Sequence, residues 1–214
     1  MKVKGAIFDV DGTLLDTMRF WTNSGARYLE SLGITAEPHL GDKLFAMTAD
    51  GGAEYLKKNY NLKMTYDEIK KGILSMVEQA YYELADFKPG AGELLDKMKE
   101  NEIPMTIASS TDSCYIHAAL RRLGYDDYFE KVLSCSAYNT TKAEPKIFYE
   151  AVKIMGTEIG DTWVYEDGLY SIKTAKAAGF RTVGVYDKVS LKDQEEIKKT
   201  ADIYVNNLTE YVLE

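Results

Sequence analysis

Gly5-Ala6-Ile7-Phe8-Asp9-Val10-Asp11-Gly12-Thr13 delivers an apolar run straight onto two carboxylates and a glycine. An uninterrupted apolar run is the pattern of a strand buried on both faces, which is the situation in a parallel sheet. Side chains two apart on an extended chain point to the same side, so Asp9 and Asp11 share a face, and Gly12 permits a sharp turn after them. In an open parallel sheet, ligands bind beyond the carboxyl ends of the strands, where Asp9 falls. Two carboxylates left together there raise each other's pKa. A divalent cation removes the conflict, and Mg²⁺ takes one or two carboxylates with water and phosphate oxygens. An acidic turn is the competing reading, because Asp-Gly is a common turn pair. A calcium loop of the EF-hand kind is excluded, since its sixth position needs glycine and Leu14 stands there.

Working outward, similar apolar runs occur at Lys4–Asp9, Pro104–Ser109, Val132–Cys135, Thr162–Glu166, Thr182–Tyr186 and Asp202–Val205, with helical patterns between them. This alternation predicts a doubly wound α/β fold on a parallel sheet. Between Thr17 and Asp86 the rhythm stops. Leu29, Leu32, Leu56, Ile69, Ile73, Met76 and Val77 recur at helical spacing there, which predicts amphipathic helices over Trp21–Leu32, Gly51–Tyr60 and Tyr66–Leu84. The expected organisation is an α/β catalytic core of residues 1–16 and 87–214 with an inserted α-helical cap domain of residues 17–86. Phe87-Lys88-Pro89-Gly90 reads as a hinge between them.

The 214 residues carry 26 Lys+Arg against 34 Asp+Glu, a net charge of -8, with no basic cluster to neutralise nucleic-acid phosphates. No segment approaches the roughly 18 apolar residues of a membrane span, and the N-terminus lacks a signal-peptide pattern. Cys114 and Cys135 form no Cys-x-x-Cys pair, and the histidines are His39 and His117, so a Cys/His zinc site is not expected. Two reduced thiols in a cytoplasmic protein is the expectation.

Other run ends add chemistry. Met105–Ala108 leads into Ser109-Ser110-Thr111, hydroxyl and amide donors before a helix starting near Asp112 or Ser113. Such a helix start suits a phosphate oxygen, although ordinary N-capping uses the same residues. Lys142 precedes Pro145 and another helix, and Trp163-Val164-Tyr165 ends in a second acidic pair, Glu166-Asp167, followed by Gly168. Together these supply a metal site, a cation for a phosphate and hydrogen-bond donors.

In this order the residues resemble the haloacid dehalogenase-like superfamily. Asp9-Val10-Asp11-Gly12-Thr13-Leu14-Leu15-Asp16 is similar to its first motif, Ser109 to its second, Lys142 to its third and Glu166-Asp167 to its fourth, with the helical insertion where capped members carry it. The nearest subgroup comprises the β-phosphoglucomutase and phosphoglycolate-phosphatase-like proteins. The resemblance implies a Rossmann-like core and Asp9 as the nucleophile that forms an aspartyl-phosphate. It implies Asp11 as general acid and base, Ser109 and Lys142 as holders of the phosphoryl group, and Mg²⁺ bound by Asp9, the Asp11 carbonyl and Asp167 with Glu166 nearby. Ser110, Arg19 and Thr48 are further candidates for substrate contact.

The chain departs from the family pattern at four places. The third motif continues as Ala143-Glu144-Pro145-Lys146 instead of Pro-x-Pro-Asp, and Gly168 stands where a serine commonly supports the metal shell. Trp21 occupies the position of a histidine found in mutases. No arginine lies in Ala46–Gly51, where mutases hold a second phosphate. The expectation is therefore a Mg²⁺-dependent phosphatase, monomeric and acting on a small phosphorylated metabolite. A sugar-phosphate mutase, or a non-catalytic binding protein on the same fold, is the alternative.

Overall fold

The structure, a computed structural model, describes residues 3–45 and 47–213. Met1 and Lys2 of the N-terminal stretch, and Ala46 of the Ala46–Gly51 segment, lie outside the described residues. The chain divides into two compact units, one running to Asp16 and resuming at Ala85, the other Thr17–Leu84.

In the first unit, β1 (Gly5–Phe8) is followed after the second unit by α5 (Ala91–Glu100), β2 (Met105–Ser109), α6 (Ser113–Leu123) and β3 (Lys131–Ser134). Then come α7 (Lys146–Met155), β4 (Thr162–Glu166), α8 (Leu169–Ala177), β5 (Arg181–Val185), α9 (Gln194–Thr200) and β6 (Ile203–Val205). The six strands form one sheet in the order β3-β2-β1-β4-β5-β6, and every pairing is parallel. The six apolar runs of the sequence coincide with these strands to within a residue or two at each end.

Alternation along β1 explains the layers. Ile7 faces a cluster with Ala108, Leu133, Ile147, Phe148 and Val164. Phe8 points the other way and stacks on Tyr165 at 4.5 Å between ring centroids. Ile7, Phe8 and Phe148 are all essentially inaccessible, and each buried side chain of this size contributes roughly 1.5–3 kcal/mol. Because β1 sits between β2 and β4, the order reverses at β1, and a crevice opens beyond its carboxyl end.

The two chain passages at the base of the insertion are tied together within the first unit. Leu15 bridges Phe87 in antiparallel fashion, and Asp16 N donates to the Asp86 carbonyl at 2.9 Å.

The second unit contains α1 (Met18–Ser31), α2 (Leu40–Phe45), α3 (Ala49–Asn59) and α4 (Tyr66–Glu83). Tyr28, Leu29, Leu40, Ala53, Leu56 and Ile69 form its core. Gly72 lets α4 lie against α1, because a Cβ there would stand 2.1 Å from the Tyr28 ring. Thr65 and Glu68 start α4 with reciprocal side-chain-to-backbone bonds, a capping box that satisfies two otherwise orphan N–H groups. Helix α2 was not anticipated, since its six residues are too short to show a period.

Asp202 fastens the start of β6 to β5. Its Oδ2 accepts from Thr182 N at 2.9 Å and Thr182 Oγ1 at 3.0 Å, and its Oδ1 from Lys176 Nζ at 2.9 Å. Burial alone would push this carboxyl up, but these donors outweigh it and hold its pKa below the usual range. A depressed carboxylate stabilises the fold above its unfolded pKa and loses that contribution as pH falls through its folded pKa. Asp202→Ala should therefore cost about 1–3 kcal/mol at pH 7, and thermal melts of variant and parent should converge below about pH 4. Thr65→Ala should cost the second unit about 1 kcal/mol in the same assay.

Candidate active site

Phe8 pairs with Tyr165 in the sheet, and Asp9 N continues the ladder by donating to the Tyr165 carbonyl at 2.9 Å. The next residues on the two strands, Asp9 and Glu166, consequently emerge side by side. Gly12 closes the turn with φ at +87°, a conformation that costs other residues a steric penalty, and its N–H donates to the Leu15 carbonyl at 3.0 Å.

Asp9, Glu166 and Asp167 are buried, and each offers a carboxylate oxygen within 4.8 Å of the others. Lys142, also buried, donates to Asp9 Oδ1 and, at 2.8 Å, to Glu166 Oε2. Burial raises Asp9 to a pKa of about 7, with the Glu166 charge adding to the effect and Lys142 opposing it. Burial likewise pushes Asp167 well above the usual carboxylate range, reinforced by Glu166, Asp9 and Asp187. For Lys142 burial acts downward, but the carboxylates on either side win and hold its ammonium above its ordinary value.

Glu166 is saturated. Its Oε1 accepts from the amides of Asp167 at 3.2 Å and Gly168 at 3.0 Å, and its Oε2 from Ser171 Oγ at 2.7 Å as well as Lys142. It thus orients Lys142. The hydroxyl absent at Gly168 has a counterpart in Ser171, five residues beyond Glu166, where no motif would direct attention. Asp167 Oδ2 accepts from Ser190 Oγ at 3.0 Å.

Asp11 Oδ2 accepts from Thr111 Oγ1 at 2.6 Å. Thr111 N donates to Ser109 Oγ at 3.0 Å, so one turn connects the second candidate carboxylate with the candidate phosphate-binding hydroxyl. Thr111 serves Asp11 and does not cap α6, whose N-cap is Asp112. Ser110 is exposed, and burial holds the Cys135 thiol above the ordinary thiol range. Lys146, the departure in the third motif, donates to the Tyr138 carbonyl at 2.7 Å and closes the loop that carries Lys142.

The structure thus brings Asp9, Asp11, Ser109, Lys142, Glu166 and Asp167 to one edge of the sheet in the first unit. Arg19 and Thr48 belong to the second unit. Arg19 is exposed with its guanidinium 4.8 Å from the Phe20 ring centroid, and Thr48 caps α3 by accepting from Gly51 N at 3.1 Å. Thr48 and Trp21 also border a cavity of about 360 Å³ within that unit, shared with Leu44, Met47, Ile73 and Leu74. The Trp21 indole donates to Tyr81 Oη at 3.1 Å.

The profile of the haloacid dehalogenase-like hydrolases matches residues 6–185, which contain every one of the first unit's candidate residues. The chain belongs to this hydrolase family. It is 25% identical over 181 residues to a phosphorylated carbohydrates phosphatase of Thermotoga maritima, covering 85% of this chain and 84% of that protein. It is 25% identical over 219 residues to a beta-phosphoglucomutase of Bacillus subtilis, covering 99% and 93%. Its fold is similar to that of a candidate beta-phosphoglucomutase from Thermotoga maritima, with a TM-score of 0.81, 25% identity, and 96% and 94% of the two chains covered. No helix among the described residues is long and apolar enough to cross a membrane.

The donor set suits a hard divalent cation. Three carboxylates face one ammonium, and the second oxygens of Asp9 and Asp167 accept no hydrogen bond among the described residues. Oxygen ligands with room for water are the preference of Mg²⁺. Asp167→Asn should relieve like-charge crowding, so the metal-free variant should melt at or above the parent's temperature at pH 7.5. Mg²⁺ should raise the melting temperature of the parent and not of the variant, as read by differential scanning fluorimetry.

Proposed function

We propose that the protein is a Mg²⁺-dependent phosphatase of a small phosphorylated metabolite, working through an aspartyl-phosphate on Asp9. The observation that carries the reading is the convergence of Asp9, Asp167 and the Lys142–Glu166 pair at the switch point of the sheet. The similarity to the carbohydrate phosphatase supports the substrate class.

In this reading Asp9 and Asp167, with the Asp11 carbonyl, hold the cation, which when bound supplies positive charge to the phosphoryl oxygens. Lys142 contributes a second positive charge, and Ser109 contributes its hydroxyl donor, whose oxygen the Thr111 N–H holds in place. Charge neutralisation and positioning are the main demands of phosphoryl transfer. An Asp9 carboxylate oxygen attacks phosphorus while the ester P–O bond breaks and Asp11 gives its proton to the leaving alkoxide. Water then attacks the aspartyl-phosphate, Asp11 takes the water's proton, and inorganic phosphate leaves as the Asp9 carboxylate is restored. Dividing one displacement into two is the gain from covalent catalysis. An alkoxide needs a proton to depart and a halide does not, so Asp11 favours phosphate esters over haloacids.

A mutase reading is favoured by the similarity to beta-phosphoglucomutase. Against it, Trp21 stands in place of the histidine, and the described part of Ala46–Gly51 offers no cation for a second phosphate.

Phosphate release from p-nitrophenyl phosphate and a sugar-phosphate panel should require Mg²⁺ and vanish in Asp9→Asn. Asp11→Asn should lower kcat by about 10²–10⁴-fold, the usual contribution of a general acid. Metal-independent turnover surviving in Asp9→Asn would overturn the reading. Isomerisation of glucose 1-phosphate to glucose 6-phosphate without free phosphate would replace it with the mutase.

A further inference from the structure

Lys88 is an ammonium in a place where ammonium groups are rare. It is buried, with 9% of its surface accessible, although it stands just before Pro89 in a segment whose composition suggests a loop. All three of its N–H bonds are used. Nζ donates to the Gly12 carbonyl at 2.6 Å, to the Tyr186 carbonyl at 2.6 Å and to Asp187 Oδ2 at 2.9 Å. Its backbone N–H donates to the Leu14 carbonyl at 2.8 Å, so residue 88 grips the Asp11–Leu15 turn twice.

The partners of this ammonium lead to both sides of the candidate site. Gly12 follows Asp11, and a glycine at positive φ has no side chain to hold its peptide planes in place. Lys88 supplies that restraint from outside the turn. Tyr186 and Asp187 open the loop after β5. Asp187 Oδ1 accepts from Val189 N at 2.9 Å, and Ser190 N donates to the Asp187 carbonyl at 3.2 Å. Ser190 Oγ then donates to Asp167 Oδ2 at 3.0 Å. Asp187 is itself buried and close enough to Asp167 to raise its pKa. Lys88 therefore neutralises a fourth carboxylate at the edge of the cluster while fixing the loop that carries Asp167's hydroxyl partner.

We propose that Lys88 is a positioning residue that holds the Asp9–Asp11 turn and the Asp187–Ser190 loop in register, so that Asp9 and Asp167 meet one cation in a fixed geometry. A buried ion pair with a purely structural role would need only Asp187. The two backbone carbonyls, one from each side of the site, are what a register clamp requires. The proposal rests on the reading of Asp9 and Asp167 as metal ligands.

The experiment compares the parent with Lys88→Met/Asp187→Asn, which removes both members of the buried pair and leaves no uncompensated charge, and with Ser190→Ala. Folding is checked by circular dichroism and cooperative melting. Mg²⁺ binding is measured with the metal alone by calorimetry and by the Mg²⁺-induced change in Tm, and turnover by phosphate release. The double variant should bind Mg²⁺ about 10–100-fold more weakly, the usual effect of losing a residue that orients metal ligands. Its kcat should fall in the same range while KM for the phosphate ester changes less than about threefold. Ser190→Ala should weaken Mg²⁺ binding about 3–10-fold, the effect of one hydrogen bond. A folded double variant with Mg²⁺ affinity and kcat within twofold of the parent overturns the proposal. If the double variant does not fold, Ser190→Ala decides, and unchanged Mg²⁺ affinity there overturns the proposal equally. A parent that neither binds Mg²⁺ nor releases phosphate refutes the phosphatase reading itself, an outcome separate from parent activity that the variants leave intact.

Discussion

Lys142 lies between two buried carboxylates, and much of the first unit serves to keep it there. An ammonium with 2% of its surface accessible is tolerable only with full compensation, and Asp9 and Glu166 supply it from adjacent strands. That demands the parallel pairing of β1 with β4 in the observed register, since a slip of one residue would turn one carboxylate to the opposite face. It also demands the loop closed by Lys146 and the hydroxyl of Ser171 behind Glu166. The negative charge that remains after Lys142 is what a divalent cation would neutralise.

Burial on both faces of the sheet made the strands legible in the sequence. Ala6-Ile7-Phe8 and Trp163-Val164-Tyr165 lie between two layers of helices, so their composition carries no alternation and cannot be mistaken for surface. The carboxylates at their ends were legible for the same reason, because polar residues that interrupt such runs mark the sheet edge. Ser109 and Lys142 could be placed through their order along the chain and their resemblance to a family. The short helix α2 left no trace in the pattern, as six residues do not complete two turns.

Residues that act through geometry were not legible. Thr111 looks like a cap, Ser171 like an ordinary helix residue, and Lys88 like part of a flexible Pro-Gly segment. Thr111 and Lys88 are defined by acceptors far away in sequence, Asp11 for Thr111 and Gly12, Tyr186 and Asp187 for Lys88, and Ser171 by a Glu166 carboxylate whose orientation depends on the fold. Spacing along one strand or helix cannot reveal a bond that spans 76 or 99 residues. In the second unit, Trp21 and Thr48 could be named from their positions; Thr48 bonds locally to Gly51 as a helix cap, while Trp21's partner Tyr81, 60 residues on, came only from the packing.

The tie between the two chain passages at Leu15–Phe87 and Asp16–Asp86 has an evolutionary consequence. Because the ends of the inserted segment are joined by the core's own backbone hydrogen bonds, the sheet does not depend on what is threaded between them. The insertion point behaves as a socket, whose contents can be lengthened, shortened or replaced while the ends of β1 and β4, with Asp9, Glu166 and Asp167, stay where they are. Such a molecule can change its inserted segment without disturbing the strand ends that hold its buried charges.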